Sequence, residues 1–403
     1  MRAVVVLSAA VALGAVLGAA QQPSSPGRST AAGVESTRET PLTPEQLKAA
    51  IDRLGTVDYA ARTTAARAIR RAPSASVVPS LIEAISHHAD GYVRFRALVL
   101  LSGMNDPRTH DVMVQALASP NDRLRAAAYE FFEHNPDPQL VARMLEALAT
   151  ESADTVRPAL TRTLAVHGTD PRVREVLTGL VMKGQDFFRS AVIEALGDYK
   201  GAYALPSLIQ VAKLDGPLQE DAVLAVGKIG DKKTVDVLAP LQRSASRNSQ
   251  PTIAAAICLL GINCSSHLEY LEQSLKFSME TDGYRDLLRA STRGLAALAM
   301  AGNEEALAKL FEYGGPSRDP GRAAIALALG AVALRNTPLF LKVLQAERDP
   351  GPAIALLGES FDMLEEDLEE ERFYVAVRRG YWAAAAGSPA RKIAETLIQT
   401  LDF

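Results

Sequence analysis

The sequence predicts an all-α fold, an α-solenoid in which antiparallel helix pairs stack into a superhelix. Three observations indicate it. Apolar residues recur at i, i+3 and i+4 through most of the chain, a marked position returns about every 32 residues, and no convincing alternation typical of strands follows the first twenty residues. A single helical hairpin of this length cannot bury its apolar face, so stacked neighbours must cover it.

The composition is that of a globular chain, and it argues against several functions. Of 403 residues, 48% are hydrophobic and 22% are charged, and 43 basic against 47 acidic side chains give a net charge of -4. Binding to nucleic-acid phosphates depends on clustered Lys and Arg, which this acidic balance does not favour. Two cysteines are too few for a disulfide scaffold or a four-thiolate zinc site.

Residues 1–20 have the pattern of a signal peptide. Arg2 precedes an apolar run from Ala3 to Ala20, and Gly18 and Ala20 supply small residues at the −3 and −1 positions of a cleavage site. The alternative is an uncleaved membrane anchor, because eighteen apolar residues just suffice to span a bilayer. The small-residue end favours cleavage before Gln21, so we expect an exported chain, periplasmic or extracellular, with no membrane span after cleavage.

Residues 21–42 are rich in Ser, Thr, Pro and Gly and contain almost no large apolar side chain, so they predict a disordered linker. The first helix is expected directly afterwards. Thr43 suits an N-cap, Pro44 the first helical position, and Gln46 the reciprocal partner of a capping box.

Residues 43–360 contain nine to ten repeat units of about 32 residues, which is the period of a helix-pair solenoid. Each unit starts with a first helix, rich in Ala and Leu, and continues after a Gly or polar break with a second amphipathic helix. The position that marks the start of the first helix is occupied in successive units by Arg62, Arg94, Arg125, Arg157, Arg189, Gln219, Thr252, Arg293 and Arg322.

The unit pattern resembles HEAT repeats, of the short kind also found in phycobilisome-lyase-type proteins. The pattern is Asp-x-x-Val-Arg-x-x-Ala-x-x-x-Leu-x-x-Gly followed by a second helix, and it is clearest in residues 90–103 and 186–198. The resemblance covers about residues 44–345. Gln219 and Thr252 depart from it, and Pro158 lies inside a first-helix pattern, which suggests weaker stacking or a kinked helix there.

The resemblance implies a structural role for the repeated acidic and basic residues. In HEAT repeats the Asp and Arg near the start of each first helix interact along the stack, so a ladder is expected rather than a ligand site. Its members would be Asp58, Arg62, Asp90, Arg94, Asp122, Arg125, Asp154, Arg157, Asp186 and Arg189.

Residues 361–403 are interpreted as a C-terminal helical cap, in which atypical sequence is expected because one face meets water. The dense acidic run at residues 365–371 is interpreted as a solvated helix within this cap; the alternative is a site for a cation or a basic partner. The neighbouring aromatics, at 373, 374, 381 and 382, are expected to close the final core, or else to form an exposed adhesive end.

Cys258 and Cys264 are separated by a predicted helix break at Gly261. In an oxidising compartment they could pair across this short connection, and the sequence leaves a disulfide and two unpaired core thiols equally open.

No motif in the sequence indicates catalysis. The six histidines fall in different units without an HExxH pair or the His-Glu pairs of the di-iron HEAT-repeat hydroxylases, and His87-His88 is interpreted as a solvated turn. Nucleophile-elbow, Walker and Rossmann motifs are missing as well. We therefore predict no catalytic residue, no cofactor site and no metal site.

The leading functional hypothesis is an exported, non-catalytic scaffold that binds a protein partner along a concave groove lined by the second helices. A nucleic-acid partner is not expected. One alternative is a lyase-like HEAT protein that acts on a tetrapyrrole-bearing protein, and another is a structural subunit of a cell-envelope assembly.

The signal-peptide interpretation predicts the N-terminus of the exported protein. We expect mass spectrometry of the exported fraction to find Gln21 as its first residue, and Ala20→Leu to leave an uncleaved precursor, because cleavage needs a small side chain at −1. Ala19→Leu at −2 is the control and should be processed normally. A wild-type protein that keeps residues 1–20 would contradict the prediction.

Overall fold

The structure, a computed structural model, describes residues 41–364 and 366–403. Within these ranges it contains 22 α-helices, three short 3₁₀ turns and no strand, so the all-α solenoid prediction is confirmed. The predicted signal peptide, residues 21–40 of the predicted linker and Glu365 lie outside the described residues.

In chain order the helices are α1 Pro44–Arg53, α2 Tyr59–Arg71, α3 Ser74–His87, α4 Gly91–Ser102, α5 Thr109–Ala116, α6 Asp122–His134, α7 Val141–Thr150, α8 Val156–Val166, α9 Pro171–Leu180, α10 Asp186–Asp198, α11 Leu205–Ala212, α12 Gln219–Ile229, α13 Val235–Ser244, α14 Gln250–Leu259, α15 Cys264–Glu280, α16 Arg285–Met300, α17 Glu304–Gly314, α18 Gly321–Arg335, α19 Thr337–Ala346, α20 Gly351–Leu364, α21 Asp367–Ala383 and α22 Pro389–Thr400. The even-numbered helices from α2 to α20 are the first helices of successive units, and the odd-numbered helices from α3 to α19 are the second helices.

Helix α1 begins as the sequence predicts. The Gln46 amide donates to Thr43 Oγ1 at 3.2 Å, and the Thr43 amide donates to Gln46 Oε1 at 2.9 Å. This capping box satisfies two backbone donors that a helix N-terminus otherwise leaves without partners.

The first helices of neighbouring units approach one another closely because Gly and Ala lie between them. A Cβ at Gly197 would be 2.7 Å from Ala225 Cα, and one at Gly227 would be 2.6 Å from Ala256 Cα. Real Cβ atoms essentially never come so near, so these positions exclude any side chain. Close packing on this side curves the array with the first helices inside.

The inner side of the superhelix is therefore lined by first helices, and the expected groove lined by second helices is wrong. Side chains of first helices from distant units meet across the interior: Arg293 of α16 lies 2.7 Å from Glu194 of α10 and 2.5 Å from Asp221 of α12. The second helices of neighbouring units contact one another much less and lie on the outer side.

Helix α21 differs from the expected cap helix because it crosses the interior. It packs on the C-terminal units but also contacts α4 and α6, two helices of the N-terminal half. Its Leu368 belongs to the apolar core of the N-terminal units, whereas Phe373 and Tyr381 belong to the core of the C-terminal units. The two ends of the solenoid thus meet through α21, and the C-terminal residues Asp402 and Phe403 add contacts to Arg67 and Arg71 of α2.

Pro158 does not kink its helix. It is the third residue of α8, within the first turn, where a backbone N–H has no acceptor inside the helix. The loss of that donor therefore leaves the hydrogen-bond pattern of α8 intact.

None of the helices in the described ranges is by itself long and apolar enough to cross a bilayer. Helices α18 and α19 meet the length and hydropathy criteria only together, and a bend of 118° separates them.

The close contacts between first helices predict that a Gly→Ala substitution changes the free energy of unfolding in opposite directions at two positions. Gly227→Ala should lower the free energy of unfolding by about 1–3 kcal/mol, because the methyl group meets the Ala256 backbone. Gly179→Ala in α9 is the matched control, since its Cβ meets no atom within 4 Å; it should raise stability by about 0.5–1 kcal/mol through helix propensity. Urea denaturation measures both, and equal effects would refute the packing argument.

Candidate protein-interaction cleft

The acidic run at the start of α21 lies against arginines of the N-terminal units, contrary to the solvated helix expected from the sequence. Glu371 accepts from Arg70 Nε of α2 at 2.8 Å, and the two side chains are 3% and 7% exposed. Asp367 pairs with Arg96 of α4. Carboxylates withdrawn from water need such partners, so the run is a contact surface.

A second ionic group lies deeper in the interior, around Glu133 of α6 and Glu369 of α21. Glu133 accepts from Arg162 at 2.8 Å and from the Tyr199 hydroxyl at 2.6 Å. Glu369 accepts from Arg335 at 2.9 Å, and one of its oxygens lies 2.6 Å from His134 Nε2. These contacts connect helices that are far apart in the chain.

The ionisation of these buried carboxylates depends on their cationic neighbours. Burial opposes charging of Glu369, but the hydrogen bond from His134 and the charge of Arg335 outweigh it and hold its pKa at about 2. Burial likewise opposes charging of Glu133, whose pKa is lowered by the charge and hydrogen bonds of Arg162. Both glutamates are anionic at neutral pH.

Glu133, His134 and Glu369 offer potential metal-ligand atoms within 4.8 Å of one another. Arg162 and Arg335 already pair with the two carboxylates at 2.8 and 2.9 Å. Guanidinium groups so close oppose a bound cation, so we interpret the group as an ion-pair network.

An open cleft of about 830 Å³ lies between α2, α4 and α6 on one side and α20, α21 and the C-terminus on the other. We call the N-terminal wall of this cleft the arginine face. It carries four arginines, Arg62, Arg70, Arg96 and Arg123, interleaved with aromatic side chains.

The arginine face contains two guanidinium groups that stack on rings instead of pairing with acids. Arg62 lies 5.4 Å from the ring centroid of Tyr59, and Arg123 lies 5.4 Å from that of Tyr92 and 6.0 Å from that of Phe95. In the part of the chain that the structure describes, neither arginine forms an ion pair. Arginine and tyrosine are the residues most often enriched at the energetic centres of protein interfaces.

Two glutamates in the cleft have raised pKa values. Burial, with the like charges of Glu369 and Glu366, raises the pKa of Glu130 to about 8; Arg335 opposes this and Glu133 adds to it. Burial raises the pKa of Glu370 to about 7 against the charge of Arg96. Closure of the interior by α21 thus favours the protonated form of both groups.

The predicted ladder differs from its expected form, and two of its five aspartates instead cap the N-terminus of their own helix. Asp58 accepts from the Ala61 amide at 3.3 Å, and Asp90 accepts from the Tyr92 amide at 2.7 Å. Asn121 caps α6 in place of Asp122, and Asp154 is exposed in the turn before α8. Among the ten predicted members within the described residues, only Asp186 and Arg189 pair with each other, at 2.9 Å and within one unit, whereas Arg125 pairs at 2.9 Å with Glu151, which is not a predicted member.

The repeated arginine position binds a backbone carbonyl left free at the connection from the preceding unit. Arg62 donates to Thr56 O at 3.1 Å, Arg125 to Ser119 O at 2.8 Å and Arg189 to Val181 O at 3.0 Å. Gln219 keeps this role, donating to Ala212 O at 3.2 Å. A long side-chain donor therefore caps the preceding segment, which explains why Gln replaces Arg.

The remaining ladder arginines, Arg94 and Arg157, lie at the same position without this carbonyl contact. The Nε–H groups of both are buried and donate to no protein acceptor among the described residues. The guanidinium group of Arg157 instead lies 3.8 Å from the ring centroid of Phe188.

The structure joins Cys258 and Cys264 in a disulfide, with their Cα atoms 4.2 Å apart. It connects the end of α14 to the start of α15, away from the cleft.

His87 is exposed at the end of α3, and His88 lies 3.3 Å from Asp52.

Sequence reasoning missed His134, Glu369 and Glu371 as contacts between the two ends of the chain. The signal was present in part, because the alternative interpretation of the acidic run was a site for a cation or a basic partner. Its partners, Arg70 and Arg96, lie about 270 to 300 residues earlier, and no periodicity relates them.

The helix pairs and their stacking define an α-solenoid protein. Residues 47–133 match the family model for HEAT repeats, so this part of the chain consists of HEAT repeats, as the sequence pattern predicts. No curated protein matches the sequence.

Several solved structures are similar in fold. The chain is 17% identical to the Escherichia coli protein YibA (54% of this chain, 82% of that chain, TM-score 0.41). It is 19% identical to the complex of CpcE and CpcF of phycocyanin lyase from a Nostoc species (64% and 97%, TM-score 0.40) and 14% identical to importin beta (89% and 55%, TM-score 0.39). With every score below 0.5, the fold assignment depends on the helix pairs and the family match.

The raised pKa of Glu130 predicts that stability falls as pH rises from about 5 to 8. The folded chain retains a proton on Glu130 up to about pH 8, whereas an unfolded glutamate loses it near pH 4.5, so the folded state binds more protons in this window. Glu130→Gln should flatten the decline, leaving the smaller contribution of Glu370. Urea denaturation at several pH values measures the free energy of unfolding of both proteins and so gives the two slopes.

Glu146→Gln on the exposed side of α7 is the matched control for Glu130→Gln. The same flattening in both variants, or a wild-type stability that rises between pH 5 and 8, would show that Glu130 does not carry the effect.

Proposed function

We propose that this protein is an exported, non-catalytic scaffold that binds a protein partner through the cleft on its inner face. The observation that carries the proposal is the arginine face, where Arg62 and Arg123 stack on aromatic rings and have no acidic partner among the described residues. A HEAT-repeat solenoid presents such an extended inner surface to other proteins. The N-terminal signal pattern supports export.

The cleft has the chemistry of a protein-binding surface. Tyr59 is 62% exposed, although it is a large aromatic residue at the entrance of the cleft. Rigid aromatic side chains bury much area at little entropic cost. A stacked guanidinium has further donors for a partner's carboxylates or carbonyls, even where, as in Arg62, one of them binds a backbone carbonyl. These features favour a polypeptide ligand over a small apolar molecule.

The absence of a catalytic motif in the sequence supports a role in binding. The carboxylates nearest to His134 are paired with Arg162 and Arg335, an arrangement that suits a fixed structural contact. We therefore assign the interior a positioning role and the arginine face the binding role.

Site-specific crosslinking tests this function. A photocrosslinking amino acid at Tyr92 in the full-length protein should capture one defined partner in the exported fraction of the producing organism. Arg62→Ala with Arg123→Ala should reduce the capture by about tenfold or more, because removing interface arginines typically costs above 1 kcal/mol each.

The control places the same crosslinker at Phe187, an exposed aromatic residue outside the cleft. Capture of the same proteins from both positions, or none from Tyr92, would contradict the proposed function. So would accumulation of the whole protein in the cytoplasm.

A further inference from the structure

The two sides of α21 pack against different halves of the molecule. Phe373, Tyr374, Val377 and Tyr381 are buried within the core of the C-terminal units. Leu368 is the buried apolar residue of α21 that joins the core of the N-terminal units. The attachment of α21 to the C-terminal units is therefore apolar, and its contact with the N-terminal units is mainly ionic.

Three carboxylates of α21 are bound by three successive first helices. Asp367 pairs with Arg96 of α4, Glu371 with Arg70 of α2, and Glu369 lies 2.6 Å from His134 of α6. Asp367 and Glu371 are four residues apart and so lie on one side of their helix. The inner face of α2, α4 and α6 thus holds the acidic side of a helix.

The backbone of α4 is shaped to admit one of these carboxylates. Gly103 ends α4, and a Cβ built on it would lie 2.6 Å from Glu371 Oε1 and 3.0 Å from Glu371 Cγ. A side chain at this position would collide with the bound glutamate. The glycine therefore forms a notch beside Arg70, a feature separate from the charges themselves.

We propose that the inner face of α2, α4 and α6 is a receptor for acidic helices, that α21 occupies it within the chain, and that the partner competes with a helix of its own carrying carboxylates four residues apart. This inference rests on the proposed function and names the class of partner. Arg62 and Arg123, which α21 leaves without acidic partners, would provide the partner with further contacts.

Exchange of one acidic helix for another is energetically feasible. The desolvation of buried ions consumes much of their mutual attraction, so ionic contacts of this kind contribute little net stability. Loss of the acidic helix without replacement is costly, since it leaves Arg70 and Arg96 without counter-charges. A competing acidic helix restores those contacts, whereas a neutral helix does not.

The test uses purified full-length protein and a fluorescein-labelled synthetic peptide with the sequence of residues 363–377. Wild-type protein should bind it weakly, because α21 already occupies the face. D367N/E371Q removes two of the intramolecular partners of the face, and Asp367→Asn removes one of them; both leave the receptor side chains and Gly103 unchanged. Each should tighten binding by about tenfold or more, since apparent affinity scales with the fraction of open receptor.

Controls show whether a gain in peptide affinity depends on the arginine face. Adding R70A/R96A to D367N/E371Q should abolish the gain, and adding Gly103→Ala should reduce it, because the new methyl group crowds the glutamate of the incoming peptide. A peptide with the acids of positions 367 and 371 replaced by Asn and Gln should bind neither variant tightly. Glu359→Gln, which removes the partner of Arg322 at a site that does not line the cleft, should leave binding at the wild-type level.

The inference is overturned if D367N/E371Q, folded by circular dichroism, shows no gain in peptide affinity, or if the gain survives R70A/R96A. Asp367→Asn by itself decides the question should D367N/E371Q fail to fold. Tight peptide binding without a crosslinked partner at Tyr92 would refute only the proposed function. A crosslinked partner without peptide binding would refute only the acidic-helix receptor.

Discussion

The close approach of first helices is the constraint on which the rest of the structure depends. Gly197 against Ala225 and Gly227 against Ala256 bring neighbouring helix backbones nearer than ordinary side chains allow. Because the second helices of neighbouring units remain farther apart there, these junctions curve the array with the first helices inside. The accumulated curvature brings side chains of distant units together, which is how Arg293 reaches Glu194 and Asp221.

The ionic groups of the interior follow from that curvature. A narrow interior withdraws Glu133, Glu369 and Glu371 from water, and each of them has an arginine within hydrogen-bond distance. Such pairs add little net stability, but a mismatched pairing would leave a charge buried and uncompensated. We therefore regard the network as fixing how the two ends of the solenoid meet, while apolar packing supplies the stability.

The position of α21 limits where the proposed partner would bind. A long open groove along the whole array is not what the described residues form, because α21 occupies part of the inner face. The cleft beside α21 remains accessible, and in it Tyr59, Tyr92 and Phe95 interleave with arginines. The selectivity of the protein would then depend on the chemistry of this local face more than on the overall curvature.

The sequence by itself determined the helical class, the unit boundaries and the local capping, because each of these depends on residues close together in the chain. Thr43 and Gln46 cap one helix from three residues apart, and the apolar period that marks a helix repeats within a few residues. It also marked the repeated donor position, where Arg125 and Gln219 bind carbonyls within seven residues. Only the tertiary structure decided which helices face inward and that Glu371 meets Arg70 across 301 residues. Such contacts depend on curvature summed over many units, and no local pattern records that sum.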